Sequence, residues 1–307
     1  MRWIVCEPEE WYRTHPERMV DVRAFYRLLR RVLLTRGHEV VASDVIHGVP
    51  DGMGTWDVCL THHGHGHGEQ GVWHVKKGYL PGHLYVDRCG YGPLAEASYF
   101  EPPWHASGFM LARAQAFIGA LDLSNVSKWP QPPRRESPTG RYVFVPLQVR
   151  TDTTQEFAHM SQIDMLRTVA EALRGSGVRV LAKRHPFDQE FPDLGSAVEW
   201  VDDWSIHDLL KNAEAVVTVN SGVGFEALLW RRPVITCGVS DYAWAVLEAK
   251  DAPSLERLVY EVLAGQHDGM RNEAFAYAAW FLREYLVPLD EEDITRRVAT
   301  IEMEAAL

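Results

Sequence analysis

The segment VNSGVGFEALLWRRPVITCG, residues 219–238, decides the fold class that the sequence predicts. An apolar run over residues 215–219 leads into a turn of small residues, and a helix-like segment and a second apolar run starting at Pro233 follow. This order of strand, turn, helix and strand is typical of a βαβ unit, whose two strands lie parallel in one sheet. The segment therefore predicts a parallel sheet with a crossover helix.

The same alternation continues on both sides of this unit. Between the two stretches of alternation lies SKWPQPPRRESPTGR, residues 127–141, whose four prolines and few apolar residues are typical of a linker. We expect an α/β protein of two Rossmann-like domains facing a cleft. The predicted divisions are an N-terminal domain over 1–126, the linker 127–141, a C-terminal domain over 142–268, and C-terminal helices over 269–307 that could pack back on the first domain.

Composition and charge narrow the class of protein. The 307 residues are 46% hydrophobic, and no apolar run reaches the roughly 20 residues that span a bilayer. The N-terminus turns acidic too early for a secretory signal, and the four cysteines form no CxxC pair. A cytoplasmic enzyme is expected. The net charge of −11 argues against binding nucleic acid by bulk electrostatics, although it leaves room for a local basic cleft.

The turn after the strand of the opening segment is the first candidate site. In open α/β sheets ligands lie beyond the carboxyl ends of the strands, and a helix that starts there offers N–H groups and a positive dipole end to a phosphate. Small residues at Ser221, Gly222 and Gly224 would let a phosphate approach the backbone. Glu226, one turn into the helix, could accept hydrogen bonds from a ribose. A plain strand–turn–helix with an ordinary N-terminal acid fits the spacing equally well.

Two further polar segments follow predicted strands at the same edge of the sheet. LAKRHPFD, residues 181–188, places Lys183, Arg184 and His185 at the end of a strand, where three donors could clamp an anion. VPLQVRTDTT, residues 145–154, carries Gln148 and Asp152 away from the first strand of the second domain. Asp152 by itself is also compatible with a turn residue or a helix cap.

In this order, the three segments resemble the C-terminal half of the capsule polysaccharide biosynthesis transferases, which are β-Kdo transferases of the GT-B type and their relatives. KKGYLPGHLYVDRCGYG, residues 76–92, is similar to the family's segment of acid, Gly, aromatic and Leu, followed by a strand. The resemblance covers about residues 74–250. It implies GT-B architecture, a nucleotide-sugar donor held in the second domain, and no metal or other cofactor.

The resemblance also implies roles for individual residues. His185 and Ser221 would contact the phosphate of the donor, and Glu226 its nucleoside. Gln148 and Asp152 would face the reacting sugar. Asp152 is the candidate nucleophile or charge stabiliser for an oxocarbenium-like centre, a role that carboxylates fill in glycosyl chemistry.

One departure from the family pattern affects the chemistry. Lys76 and Lys77 stand where the family has an acid that is a candidate general acid/base. A lysine cannot replace a carboxylate base, although it can bind an anionic sugar or a phosphate. We therefore place Lys76, Lys77 and Tyr79 on the acceptor side. Glu69, Asp87 and a nearby histidine are candidate substitutes for the acid, and Kdo is not predicted as the sugar.

Histidines recur in THHGHGHGEQGVWH, residues 61–74, which includes His67. The favoured interpretation is a Gly-rich loop facing acceptor or phosphate, with His63 or His65 as a catalytic base. A plain polar loop ranks second. A divalent-metal site ranks last, because alternating glycines fix no ligand geometry.

The sequence thus predicts a glycosyltransferase that moves a sugar from a nucleotide-sugar to a glycan, a lipid-linked saccharide or another hydroxyl. One alternative acceptor is a hydroxylated base in DNA, which the acidic balance disfavours and the two lysines keep open. Another alternative is an enzyme similar to sugar-nucleotide 2-epimerases, which would need carboxylates on both sides of the sugar. The last is a non-catalytic nucleotide-sugar- or glycan-binding protein. The oligomeric state is not indicated.

Overall fold

The structure is a computed structural model that describes residues 1–44, 48–51, 54–66, 68–188, 190–191 and 194–306. The chain forms two compact units, Met1–Phe100 with Phe281–Leu307, and Glu101–Trp280. Each unit is built on a six-stranded sheet. In the described part of the chain, no helix is both long enough and apolar enough to cross a membrane.

The secondary structure alternates strands and helices as the sequence predicts. The strands are β1 (Arg2–Cys6), β2 (Glu39–Ser43), β3 (Val58–His62), β4 (Val72–Lys77), β5 (His83–Asp87), β6 (Tyr142–Pro146), β7 (Arg179–Lys183), β8 (Glu199–Trp200), β9 (Ala215–Thr218), β10 (Val234–Thr236), β11 (Leu247–Glu248) and β12 (Val287–Pro288). The α-helices are α1 (Glu9–Thr14), α2 (Val20–Thr35), α3 (Gly108–Ser124), α4 (Gln162–Ala172), α5 (Ile206–Leu210), α6 (Gly222–Leu229), α7 (Ala252–Leu263), α8 (Met270–Trp280) and α9 (Glu291–Ala305).

The first unit has the strand order β12-β5-β4-β3-β1-β2, and its core lies between this sheet and helices α2 and α9. Strands β1 to β4 are parallel, whereas β5 runs antiparallel to β4 and β12 antiparallel to β5. The first sheet is therefore mixed, with antiparallel pairing on the β5 and β12 side. The connection over residues 78–82 is too short for a crossover, and Gly82, with φ +70°, lies in this tight turn.

The second unit has the order β11-β10-β9-β6-β7-β8, with all pairs parallel. A core cluster joins one face of the sheet to α4 and α7, through side chains such as Leu166 and Val259. The strand order reverses between β6 and β9, where open α/β sheets bind their ligands. Two mostly parallel sheets with alternating helices make two Rossmann-like domains, the predicted fold class.

The division of the chain differs from the boundaries that the sequence suggested. The first unit ends at residue 100 instead of 126, because α3 packs against α8 of the second unit. Residues 127–141 also belong to the second unit. The chain returns to the first unit at residue 281 instead of 269, where β12 extends the first sheet and α9 packs against α2.

Candidate functional site

The carboxyl edge of the second sheet is organised around the start of α6. Ser221 is the N-cap, and its Oγ accepts a hydrogen bond of 3.2 Å from the Val223 N–H. Its carbonyl accepts from the Tyr242 hydroxyl at 2.6 Å and from the Gly224 N–H at 2.9 Å. The turn is therefore fixed from both sides. Because Ser221 accepts from the Val223 and Gly224 N–H groups, what this turn offers to an anion is the Gly222 N–H and the positive end of the helix dipole.

The two glycines of this turn serve different purposes. A Cβ at Gly224 would lie 2.6 Å from the Tyr242 hydroxyl oxygen and 3.1 Å from Cγ2 of Thr218. Glycine is thus required at 224 so that α6 can pack against Tyr242, which differs from the expected approach of a phosphate. Gly222 is the first residue of α6 and is half-buried, so it remains the candidate for close approach.

Two hydrogen bonds join the side chain of Gln148 to Asn220. The Gln148 side chain donates to Asn220 Oδ1 at 2.8 Å and accepts from the Asn220 N–H at 3.1 Å. The buried Gln162 side chain accepts from the Gln148 N–H at 2.6 Å and donates to its carbonyl at 3.1 Å. Gln148 thus joins the ends of β6 and β9. The sequence analysis assigned no role to Asn220 or Gln162; an Asn directly before a helix N-cap is the only signal that pointed to either.

Asp152 is exposed and lies at this same edge. It caps a short 3-10 helix, Thr153–Phe157, where its Oδ1 accepts from the Thr154 N–H at 2.9 Å and from the Thr154 hydroxyl at 2.8 Å. The Thr154 carbonyl accepts from Asn220 Nδ2 at 2.9 Å, so the turn carrying Asp152 is tied to the residue before Ser221. Within the described residues, no hydrogen bond reaches Oδ2 of Asp152, which leaves one carboxylate oxygen for a ligand.

Of the three donors predicted to clamp an anion, Lys183 and Arg184 contact groups of the protein instead. The buried Lys183 ammonium donates to the carbonyls of Asp202 and Trp204, and burial lowers its pKa. The Arg184 guanidinium pairs with the Asp202 carboxylate and lies 3.7 Å from the centre of the Trp200 ring. Both side chains stabilise the loop after β8, because its carbonyls and its acid lie beside the end of β7.

His185 has the geometry of a neutral hydrogen-bond donor. Its Nδ1 accepts from the Phe187 N–H at 3.2 Å. Burial, assisted by the charge of Lys128, lowers its pKa, and the Asp152 carboxylate opposes this shift. A neutral imidazole with a lone pair on Nδ1 carries its proton on Nε2. His185 can therefore donate from Nε2 to an anionic oxygen at neutral pH.

Glu226 does not point toward the open edge. Its side chain is 2% exposed, and Oε2 accepts from the Ser127 hydroxyl at 2.8 Å. Oε1 lies 3.6 Å from Nδ1 of His207, whose Nε2 donates to the Val126 carbonyl at 3.0 Å. The expected hydrogen bonds from Glu226 to a ribose do not fit this geometry, because both carboxyl oxygens face groups of the protein.

The burial of Glu226 gives a testable pH dependence. Burial raises its pKa from 4.5 to about 7, although the Ser127 hydroxyl lowers it. The folded state therefore binds this proton more tightly than the unfolded state. Consequently the free energy of unfolding falls as pH rises from about 4.5 to about 7, by at most roughly 3 kcal/mol.

The variant Glu226→Gln keeps an acceptor for Ser127 and does not titrate. We expect the stability of Glu226→Gln relative to the unsubstituted protein to increase between pH 5 and pH 8. Thermal unfolding across this range measures the difference, and His207, present in both proteins, contributes to both curves. Parallel curves for the two proteins would contradict the assignment.

In the first unit, Asp87 is held as a structural group. Its carboxylate accepts from the N–H groups of Cys89 at 2.7 Å and Gly90 at 2.8 Å, and also from the Glu96 N–H and the Tyr285 hydroxyl. It is 5% exposed. Asp87 thus organises the turn after β5, and this saturated environment does not favour the expected role as an acid/base substitute.

The three residues expected on the acceptor side are dispersed by the fold. The ammonium of Lys76 lies 3.5 Å from the centre of the Tyr91 ring. Lys77 pairs with Asp21 at 3.7 Å. Tyr79 is buried and packs edge-on against Tyr85. Lys76 and Lys77 are both half-buried, whereas Tyr79 belongs to the core.

The histidine loop is more ordered than its glycines suggest. His63 adopts φ +55°, and its ring lies 5.1 Å from both the Trp11 and Tyr91 rings. A Cβ at Gly64 would lie 2.6 Å from the Thr61 hydroxyl, and one at Gly66 would lie 3.3 Å from the His74 ring. These glycines allow the loop to pack closely on Thr61 and His74.

His65 is exposed and lies close to Gly90. A Cβ added at Gly90 would lie 3.1 Å from the Cβ of His65. Burial, assisted by His65, lowers the pKa of His74 to about 4. His67 and its contacts lie outside the described residues. Among those that are described, no three His, Cys, Asp or Glu side chains come together as a metal site. Metal independence therefore stays a prediction.

Comparison with known protein families gives a match that includes this edge of the second sheet. The family described as "Capsule polysaccharide biosynthesis protein" matches residues 105–257, a range that contains Asp152, His185 and Ser221. Among curated proteins, Protein FixF of Sinorhizobium fredii is 29% identical over 220 residues, which are 67% of this chain and 48% of FixF. The chain thus spans about half the length of this curated relative.

Two solved structures share the fold over nearly the whole chain. The β-Kdo 2,4 transferase of KpsC from Thermosulfurimonas dismutans aligns with a TM-score of 0.59 and 17% identity, covering 97% of this chain and 98% of that one. The β-Kdo 2,7 transferase of the same protein aligns with a TM-score of 0.51 and 17% identity, covering 97% and 99%. At this identity the likeness concerns the fold.

Proposed function

Residues 105–257 match the capsule polysaccharide biosynthesis family, and on this premise we propose that the chain is a glycosyltransferase. It transfers a sugar from a nucleotide-sugar to a hydroxyl of a glycan or a lipid-linked saccharide. We assign this reaction to the site at the carboxyl edge of the second sheet. The match to this family and the fold shared with the KpsC transferases support it.

One observation carries the proposal. The helix start at Ser221, whose dipole favours an anion, and the exposed carboxylate at Asp152 are connected through Asn220, which donates to the Thr154 carbonyl at 2.9 Å. Glycosyl transfer from a nucleotide can use both groups. Negative charge accumulates on the departing phosphate, and positive charge accumulates on the anomeric carbon.

The proposed chemistry assigns each charge to a residue. The phosphate lies against Ser221 and Gly222, and His185 donates to it from Nε2. As the bond between the anomeric carbon and the phosphate oxygen breaks, the electron pair leaves with the phosphate. The free Oδ2 of Asp152 stabilises the anomeric carbon, to which the acceptor oxygen bonds as it loses its proton. That proton passes to a general base, a role for which His63 and His65 stay predictions from the sequence.

The epimerase alternative is not favoured by this geometry. It needs carboxylates on both sides of the sugar, and Glu226, one of the two obvious candidates, is buried against Ser127 and His207. Of these two candidates, Asp152 is the one exposed at the carboxyl edge. Formation of a second nucleotide-sugar without an acceptor would be the sign of epimerisation.

A panel of donors tests the proposal. CMP-, UDP-, GDP- and dTDP-sugars are added to the protein, and thermal shift and nucleotide release are measured. We expect one nucleotide class to stabilise the chain and to be turned over slowly. Ser221→Ala removes a phosphate contact and is expected to weaken that binding about 10-fold.

The matched control is Ser107→Ala, which removes the N-cap of α3 and leaves the carboxyl edge intact. It is expected to bind like the unsubstituted protein. Failure of all four donor classes to stabilise the chain would overturn the donor site, and binding without any turnover would favour a non-catalytic binding protein.

A further inference from the structure

The Pro-rich stretch between α3 and β6 is fastened to the second unit. We call residues 125–135 the docked segment. Its Val126 carbonyl accepts from His207 at 3.0 Å, and its Ser127 hydroxyl bonds to Glu226 at 2.8 Å. Gln131 Oε1 accepts from the Ile206 N–H at 3.0 Å. These contacts fix the segment on α5 and α6, beside the candidate donor site.

The far end of the docked segment is anchored by a buried acid. Asp208 is 1% exposed, and its two oxygens accept from Nε of Arg134 at 2.7 Å and from the Arg135 N–H at 2.8 Å. A buried carboxylate that lost these donors would be strongly disfavoured. Pro132 and Pro133 restrict the backbone before it folds, which reduces the entropy lost on docking. The segment is therefore a rigid part of the second unit.

Trp129 is the aromatic side chain that this rigid segment presents. Its ring lies 5.1 Å from the Phe187 ring at an interplanar angle of 84°, and 5.9 Å from the His185 ring at 83°. Phe187 is 50% exposed, although it follows directly on the residues that end β7. Trp129 and Phe187 thus form a corner of two perpendicular rings, and His185 lies against both. We call this pair the aromatic corner.

We propose that the aromatic corner stacks the heteroaromatic base of the donor nucleotide. This inference rests on the proposed function, because it takes His185 as a contact of the donor phosphate. In a nucleotide one ribose separates the phosphate from the base, so a base-binding surface must lie next to the phosphate contacts. A flat base can stack on one ring of the corner and meet the edge of the other.

The aromatic corner contributes to the affinity for the nucleotide but does not select among bases. Stacking on an aromatic ring is tolerant of base identity, because every base has a π-face. Glu226 then acts as a positioning residue: it holds Ser127, two residues before Trp129, and has no contact with the nucleotide. This assignment explains why a carboxyl group at the start of α6 is buried and faces the docked segment.

Isothermal titration calorimetry of the full chain with CMP, UMP, GMP, dTMP and ribose 5-phosphate tests the proposal. Phe187→Leu keeps an apolar side chain and removes the π-face. We expect it to raise the Kd of the nucleotide that binds by about 10-fold, and to leave the weak binding of ribose 5-phosphate unchanged. Trp129→Leu is expected to act in the same direction, whereas Trp129→Phe keeps a ring and is expected to bind nearly normally.

The matched control is Phe109→Leu, which replaces an exposed ring at the start of α3. Equal nucleotide affinity for the unsubstituted protein and Phe187→Leu would overturn the stacking and leave the proposed function standing. An equal loss for ribose 5-phosphate would assign the corner to a sugar and overturn the base. Absence of nucleotide binding by the unsubstituted protein would remove the proposed function and this inference together.

Discussion

Asp152→Asn is expected to lower the rate of sugar transfer at least about 100-fold while the affinity for the donor nucleotide stays within about 3-fold. The asparagine Oδ1 can still accept from Thr154, as Asp152 Oδ1 does at 2.9 Å and 2.8 Å, so the turn is preserved. The substitution removes the negative charge of the second oxygen, which we propose stabilises the positive charge at the anomeric carbon. Single-turnover kinetics with the donor identified by the panel separates the chemical step from binding.

The control for Asp152→Asn is Asp164→Asn, which changes an exposed acid near the start of α4. It is expected to leave transfer unchanged. If Asp152→Asn transferred sugar at an undiminished rate, the role of Asp152 would be only structural, as the cap of the 3-10 helix Thr153–Phe157. If it lost donor affinity instead of rate, its role would lie in binding.

His185→Ala is expected to raise the Kd of the donor nucleotide about 10-fold or more, because a hydrogen bond to a charged phosphate is lost. His185→Gln offers an amide donor of similar reach and is expected to recover most of the affinity. Burial lowers the pKa of His185, so the neutral Nε2–H donor is present at pH 7. Donor affinity should therefore show no loss from this group between pH 7 and pH 8.

A sharp fall in affinity over that pH range, absent from His185→Gln, would mean that a protonated imidazolium binds the phosphate. Unchanged affinity in His185→Ala would remove His185 from the donor site. Calorimetric titration with the nucleotide monophosphate measures both variants under identical buffer conditions.

The sequence predicted the elements that local patterns determine. The helix after β9 begins at its Ser221 cap, and β6, β7 and β9 end at one edge because parallel strands must. That geometry alone was sufficient to group Asp152, His185 and Ser221. Each of these follows a buried strand, so its position along the sheet is set by the pattern that forms the strand.

The direction of long polar side chains could not be predicted in the same way. Lys183 and Arg184 turn to the loop after β8, because Asp202 supplies a carbonyl and a carboxylate there. The sequence places these residues about 20 positions apart and gives no sign of their contact. The partners of a long side chain depend on which segments the folded sheet brings close to it, and the sequence alone does not show this.

The Pro-rich segment was misassigned for a related reason. Prolines and charges are typical of linkers, yet Arg134 bonds to the buried Asp208. The sequence carried one signal of this, since His207 and Asp208 interrupt an otherwise apolar helix, IHDLL. Polar groups at buried positions need partners from another part of the chain.

The most direct test of the account is a crystal structure of the chain with the nucleotide that the donor panel identifies. We expect the phosphate at the first turn of α6, within hydrogen-bonding distance of Ser221 and of Nε2 of His185. Asp152 Oδ2 should face the position of the transferred sugar. A nucleotide bound away from the carboxyl edge of the second sheet, with Ser221 and His185 untouched, would contradict the central claim.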